Sequence, residues 1–143
     1  MIIQKLSVDA VDQIISLYGS DFDDGWNKNM LLSSFNGGRF LCYGAFIDGA
    51  LVGAITLTVG LDDADIESIF TLKSARRKGV ADALIERAID ELKNLGKKGV
   101  LLEVRESNIP AKNLYFKHGF KQISVRKKYY QDGENAVILA KEI

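Results

Sequence analysis

Three groups of side chains in this chain have types and spacings suited to chemistry. Arg76-Arg77-Lys78-Gly79-Val80-Ala81-Asp82 places three consecutive cations and a glycine directly before the clearest helical stretch. The first N–H groups of a helix are unpaired and its dipole is positive at that end, so an anion is favoured there. A glycine lets the backbone approach a phosphate closely. The same residues read equally as a solvated basic turn, and they match neither the Walker pattern nor the three-glycine dinucleotide fingerprint. Glu103 ends a run reading Val100-Leu101-Leu102 and is followed by Val104. A carboxylate among buried-type residues needs a partner, a water or a raised pKa, and an oriented one can take a proton from an amine. It can also face outward, or pair with Arg105. Tyr115, between Leu114 and Phe116, brings a phenol able to protonate a leaving group, although aromatics at helical spacing also fill cores.

Other reactive side chains support less. His118 is the one histidine, with no second histidine or cysteine near it, so no metal is expected and a helix-terminal surface position is. Cys42 is the one cysteine and lies in an apolar run, so neither covalent catalysis nor an intrachain disulfide is expected, as suits a reducing compartment. Trp26 and Tyr130 are candidates to line an acceptor site, and Trp26 serves equally as a loop anchor.

The elements that must position these groups follow from periodicity and turn residues. Strands are expected over 1–6, 40–47, 51–59, 65–72, 99–104, 120–129 and 136–140, and helices over 10–18, 26–35, 81–95 and 109–118. Asp48-Gly49 is a hairpin signal, and Gly96 stops the third helix after Leu84, Ile85, Ala88, Ile89 and Leu92. Asn108 caps the fourth, with Pro110 in its first turn. A strand, a crossover helix and a further strand in one sheet run parallel, whereas the front strands are antiparallel. The expectation is one α/β domain over 1–143, a mixed β-sheet with flanking helices.

Length and composition agree. A chain of 143 residues, 47% apolar and 27% charged, suits one soluble domain. Nineteen basic residues balance nineteen acidic ones, which argues against nucleic acid, bound largely through many phosphate contacts. No apolar run approaches the ~20 residues of a membrane span, and no basic start leads into a signal-type apolar stretch. A cytoplasmic protein is expected.

Arg-x-x-Gly-x-Ala opening an amphipathic helix resembles the coenzyme A pyrophosphate loop of the GNAT superfamily of N-acetyltransferases. Leu101-Leu102-Glu103-Val104-Arg105-Glu106-Ser107-Asn108, then Ala111 and Leu114-Tyr115-Phe116-Lys117-His118-Gly119-Phe120, resembles the rest of that cofactor core. The segments 125–130 and 134–139 are similar to a narrower group, the ribosomal-protein-alanine N-acetyltransferases. Two departures stand out: Ile69-Phe70-Thr71-Leu72-Lys73 replaces a common apolar-Asp-Pro ending, and Ala81 stands where glycine is usual. The resemblance implies the GNAT fold and acetyl-CoA as cosubstrate without a metal. It also implies the backbone of Ile69, Phe70 and Thr71 against the pantetheine, residues 76–82 around the pyrophosphate, and Asn108 as a further contact. Glu103 is then the general base and Tyr115 the general acid for direct attack by the amine. The acceptor it implies is a protein N-terminus, an N-terminal alanine of a ribosomal protein in particular. A small-molecule amine and a non-catalytic coenzyme A-binding domain are the alternatives, since one fold serves many functions. Arg126, Lys127 and Lys128 would suit an acceptor with acidic side chains. The oligomeric state is left open.

Overall fold

The strands join in one sheet, with helices packed on both of its faces. The computed structural model describes residues 1–19 and 27–143; the candidate Trp26 lies outside them. The strands are β1 Ile2–Lys5, β2 Phe40–Ile47, β3 Ala50–Val59, β4 Asp63–Thr71, β5 Gly99–Arg105, β6 Lys121–Arg126 and β7 Ala136–Glu142. The helices of the described residues are α1 Val11–Tyr18, α2 Lys28–Asn36, α3 Val80–Asn94 and α4 Ile109–Lys117. The seven strands pair in the order β1-β2-β3-β4-β5-β7-β6. Every neighbouring pair is antiparallel except β4–β5, which α3 connects in parallel. This is the expected mixed sheet.

Local chemistry explains the elements. Asp48 and Gly49 take φ of 51° and 80°, the left-handed pair that a tight hairpin between β2 and β3 requires. Asn108 caps α4 by accepting the Ala111 N–H at 3.2 Å. The second helix begins two residues later than expected, because Asn27 caps it by accepting the Met30 N–H at 2.9 Å. The sixth strand stops at Arg126, short of the expected 129, where Lys128 turns to φ 52° and its N–H donates to Asn135 Oδ1.

The sheet buries both faces of its centre. Leu84, Ile85 and Leu92 of α3 pack with Ile55, Leu57, Val100 and Leu139 on one face. Val11, Ile14 and Leu31 of α1 and α2 cover Cys42, Ala54 and Phe70 on the other. A Cβ at Gly53 would stand 2.7 Å from Val80 Cγ1 and 3.0 Å from the Phe70 carbonyl oxygen, so this glycine lets the start of α3 press directly on the sheet.

The sheet opens in its middle. β4 and β5 share four residue pairs, from Asp63–Gly99 to Ile66–Leu102, and none beyond. On β4, Ile66 faces Leu57 and Ser68 faces Thr56, leaving Glu67 as the extra residue of a bulge. A bulge bends its strand and sharpens the local twist. It also re-aims the chain: Ile66 belongs to the α3 core, whereas Phe70 belongs to the α1–α2 core. β5 meanwhile stays with β7 as far as Arg105–Ala136. The two strands therefore part just after Ile66 and Leu102.

Candidate active site

Beyond that point β4 carries backbone groups with a partner strand on one side only. Ile69, Phe70 and Thr71 pair with Ile55, Ala54 and Gly53 of β3, while their other edge faces the opening. An extended amide-bearing ligand can hydrogen-bond such an edge as an added strand does. β4 leads through a short 3-10 turn, Lys73–Ala75, into the loop before α3. There Arg77 and Gly79 take φ of 64° and 77°, which turns the loop so that α3 can begin at Val80. The first N–H of α3 with a backbone acceptor is that of Ala83, bonded to Gly79 O at 3.0 Å. Those of Val80, Ala81 and Asp82 have none among the described residues. Arg76, Arg77 and Lys78 are exposed around them. A Cβ at Gly79 would meet no atom within 4 Å, so the space before the loop is open. These groups fit a pyrophosphate: free donors, positive dipole, cations and room.

The cleft between the parted strands has a volume of about 150 Å³ and is lined by Glu67, Ser68, Ile69, Glu103, Asn108, Tyr115 and Tyr130, among others. Glu103, Tyr115, Asn108, Ile69 and Tyr130, far apart in the chain, thus meet in one place.

Glu103 faces outward as an exposed residue and pairs with Arg126, whose Nη1 lies 3.3 Å from its Oε1. The sequence neighbour Arg105 goes elsewhere. It binds Asp132 at 2.8 Å and Glu134 at 3.1 Å, and its guanidinium lies 4.0 Å from the centre of the Tyr130 ring. Glu134 also accepts the Ser107 N–H at 2.8 Å. Arg105 thereby pins the β6–β7 loop and holds Tyr130 at the cleft. Tyr129 stays exposed, with Arg126 5.3 Å above its ring.

Tyr115 is 5% exposed, and its ring meets Phe120 edge-on at 5.5 Å. Its hydroxyl makes no hydrogen bond with a described residue, yet among the described residues no buried polar side-chain atom is left unpartnered. The hydroxyl therefore opens on the cleft that Tyr115 lines. Burial pushes its pKa above the ordinary phenol range, which makes it a proton donor, not a base, at neutral pH. The sequence reading missed Glu67. Burial first, then repulsion by Asp65 and Glu103, raises its pKa, opposed by a hydrogen bond to Thr58. The available signal was the alternation of Asp63, Asp65 and Glu67 along a strand.

Asp82 and His118 also differ from expectation. The Asp82 carboxylate turns from the loop toward the end of α4, accepting His118 Nε2 at 2.7 Å and Lys117 Nζ at 3.0 Å. His118 is the C-cap residue of α4, as expected, but it is not a surface residue, since its side chain is only 11% exposed. This contact ties the start of α3 to the helix that carries Tyr115. The hydrogen bond from His118, then that from Lys117, hold the Asp82 carboxyl below its usual range. A carboxyl with a depressed folded pKa stabilises the fold above its unfolded pKa, and that contribution is lost as the pH falls through the folded value. Asp82→Asn is therefore expected to lower Tm at pH 7. The gap to the wild type should close as the pH falls below about 4, which thermal melts across pH will check.

Similarity to known proteins bears on this arrangement. The sequence profile of the Acetyltransferase (GNAT) family matches residues 11–120. The [ribosomal protein bS18]-alanine N-acetyltransferase of Escherichia coli K12 is 35% identical over 118 residues, covering 80% of this chain and 79% of that protein. An N-alpha-acetyltransferase of Saccharolobus solfataricus is 29% identical over 154 residues, covering 99% and 92%. In three dimensions, the crystal structure of the ribosomal-protein-S18-alanine N-acetyltransferase from Escherichia coli superposes with a TM-score of 0.85 at 30% identity, covering 99% of this chain and 94% of that one.

Proposed function

The chain belongs to the Acetyltransferase (GNAT) family and is an N-acetyltransferase; from that premise we propose that it moves the acetyl group of acetyl-CoA onto the N-terminal α-amine of a protein. A ribosomal protein beginning with alanine is the leading acceptor, in line with the names of its relatives, and the cytoplasm is the place of action. The observation that carries the proposal is the parting of β4 and β5. It joins, in one path, a free strand edge for the pantetheine amides, a helix N-terminus for the pyrophosphate and a cleft holding a carboxylate and a phenol.

Thioester aminolysis needs a neutral amine and a protonated leaving group. Glu103 takes the proton of the amine, directly or through a water, as nitrogen bonds the acetyl carbon. The carbon–sulfur bond breaks, and Tyr115 gives its proton to the departing thiolate. Arg126 orients the Glu103 carboxylate through their ion pair. Tyr130, fixed by Arg105, borders the path by which an extended N-terminus enters. Asn108 contributes its cap and a polar group at the cleft wall.

The test is release of free thiol from acetyl-CoA in the presence of peptides, free alanine, spermidine or no acceptor. Peptides beginning with alanine should be used with at least tenfold higher kcat/KM than the small amines, a preference of ~1.4 kcal/mol. Equal use of free amines overturns the protein-acceptor reading.

A further inference from the structure

Past Ile66 no partner strand holds β4 on its open side, so its aim there must come from β3 and from side chains. Ala64 and Ile66 belong to the α3 core. Side chains alternate along a strand, so an unbroken β4 would send Ser68 and Phe70 to that same face. The bulge at Glu67 reverses the parity. Phe70 joins the α1–α2 core, and Ser68 turns to the same side, where its hydroxyl lies 3.0 Å from that of Tyr18. Thr56 stands on β3 between Ile55 and Leu57 of the α3 core, so it too points toward α1 and α2, and its hydroxyl is bonded to that of Ser68.

Tyr18, Thr56 and Ser68 are all buried, and hydroxyls placed there need partners. Burial, opposed by the hydrogen bond with Ser68, pushes the Tyr18 pKa up to about 12, so the phenol keeps its proton at neutral pH. The network closes only in the bulged register. A slip of one residue would set Glu67 opposite Thr56 and Ser68 opposite Ile55. The Ser68 hydroxyl would then lie among apolar side chains of the α3 core, and Tyr18 and Thr56 would lose their shared partner. Three hydroxyls from α1, β3 and β4 thus select the shape that opens the sheet. Ser68 also lines the cleft and directly precedes the free edge of Ile69, Phe70 and Thr71.

We propose that Ser68 is a positioning residue: bonded to Tyr18 and Thr56, it fixes the aim of β4 beyond the bulge, and so the fit of the Ile69–Thr71 backbone to the pantetheine of acetyl-CoA. This rests on the reading of that edge as the pantetheine site.

The experiment measures Kd by calorimetry for two ligands, acetyl-CoA and ADP. ADP carries the pyrophosphate for the loop before α3 but has no pantetheine. Thr56→Val keeps the shape of the side chain without its hydroxyl, and Tyr18→Phe keeps the ring edge-on to Phe70 at 5.7 Å. Each should raise the Kd of acetyl-CoA about tenfold or more, a change of ~1.4 kcal/mol per tenfold, with that of ADP nearly unchanged. Thr56→Ser, which loses a methyl and keeps the hydroxyl, should bind acetyl-CoA like the wild type even where its Tm falls. Tyr18→Phe carries the test if Thr56→Val does not fold. Equal weakening of both ligands, or undiminished acetyl-CoA binding by the folded variants, overturns this inference alone and leaves the network a part in stability only. A wild-type protein that binds acetyl-CoA no more tightly than ADP overturns the pantetheine reading of the edge as well.

Discussion

Glu103→Gln and Tyr115→Phe, made singly, are each expected to lower kcat by about 10²–10⁴-fold while coenzyme A still binds, as removal of a general acid or base does. Tyr115→Phe is the cleaner variant. It deletes one oxygen that bonds no described residue and keeps the ring packed edge-on against Phe120 at 5.5 Å, so Tm should barely move. The two variants part on pH. Without Glu103 the residual rate climbs as the pH rises, since more of the amine arrives neutral. Without the Tyr115 hydroxyl it does not, because the missing step is protonation of the thiolate. Glu67→Gln is the necessary companion, since Glu67 shares the cleft and its pKa is raised by burial and its carboxylate neighbours. A large loss in Glu67→Gln with a mild one in Glu103→Gln would transfer the base to β4. Near wild-type turnover in all three variants would remove acid–base catalysis from this cleft.

Saturating acetyl-CoA is expected to raise Tm by several degrees, since a ligand at a hundred times its Kd stabilises a fold by ~2.7 kcal/mol. Gly79→Glu should abolish that shift. Its side chain would project into the open space before α3 and set a carboxylate where the unpaired N–H groups of Val80, Ala81 and Asp82 favour a phosphate. Gly79→Ala separates charge from backbone strain. It carries the same cost of a non-glycine residue at φ 77° but no negative charge, so it should keep most of the shift. Melting scans with and without cofactor, on both variants, decide the matter. Loss of the shift in Gly79→Ala and Gly79→Glu alike would assign the loop a purely structural part. No shift in the wild type at millimolar acetyl-CoA would contradict cofactor binding itself.

The parts legible in the sequence are those set by near neighbours in the chain. Gly79 before an amphipathic helix, Asn108 three residues before the N–H it caps, and Asp48-Gly49 between two apolar runs each act within one turn. Their structural outcome matches the expectation. The long-range arrangements were not legible. The bulge at Glu67 exists only relative to Thr56 and Leu57 on β3, and no property of Glu67 alone announces it. Arg105 is closest in sequence to Glu103, yet β7 pairing draws it to Asp132 and Glu134, and Arg126 arrives from a strand beyond. The Asp82–His118 contact joins residues 36 apart. Charge runs mislead for the same reason: Arg126 looks free among lysines until the sheet order supplies its partner.

The last pair holding β4 to β5 is Ile66–Leu102, and Glu67 and Glu103 are the very next residues on each strand. What keeps the halves of the sheet in register therefore ends where the chemistry begins. Substitution at Glu67 can alter which acceptor is used without unzipping a ladder that does not include it, whereas Glu103 is held by its part in the chemistry and by its pairing with Ile138 of β7. Ser68 is the exception nearby, since its hydroxyl is bonded to Tyr18 and Thr56 in the buried core. A chain built this way can be retuned toward a new amine by single substitutions on the β4 side of the gap, with the ladder that holds the two halves of the sheet left whole.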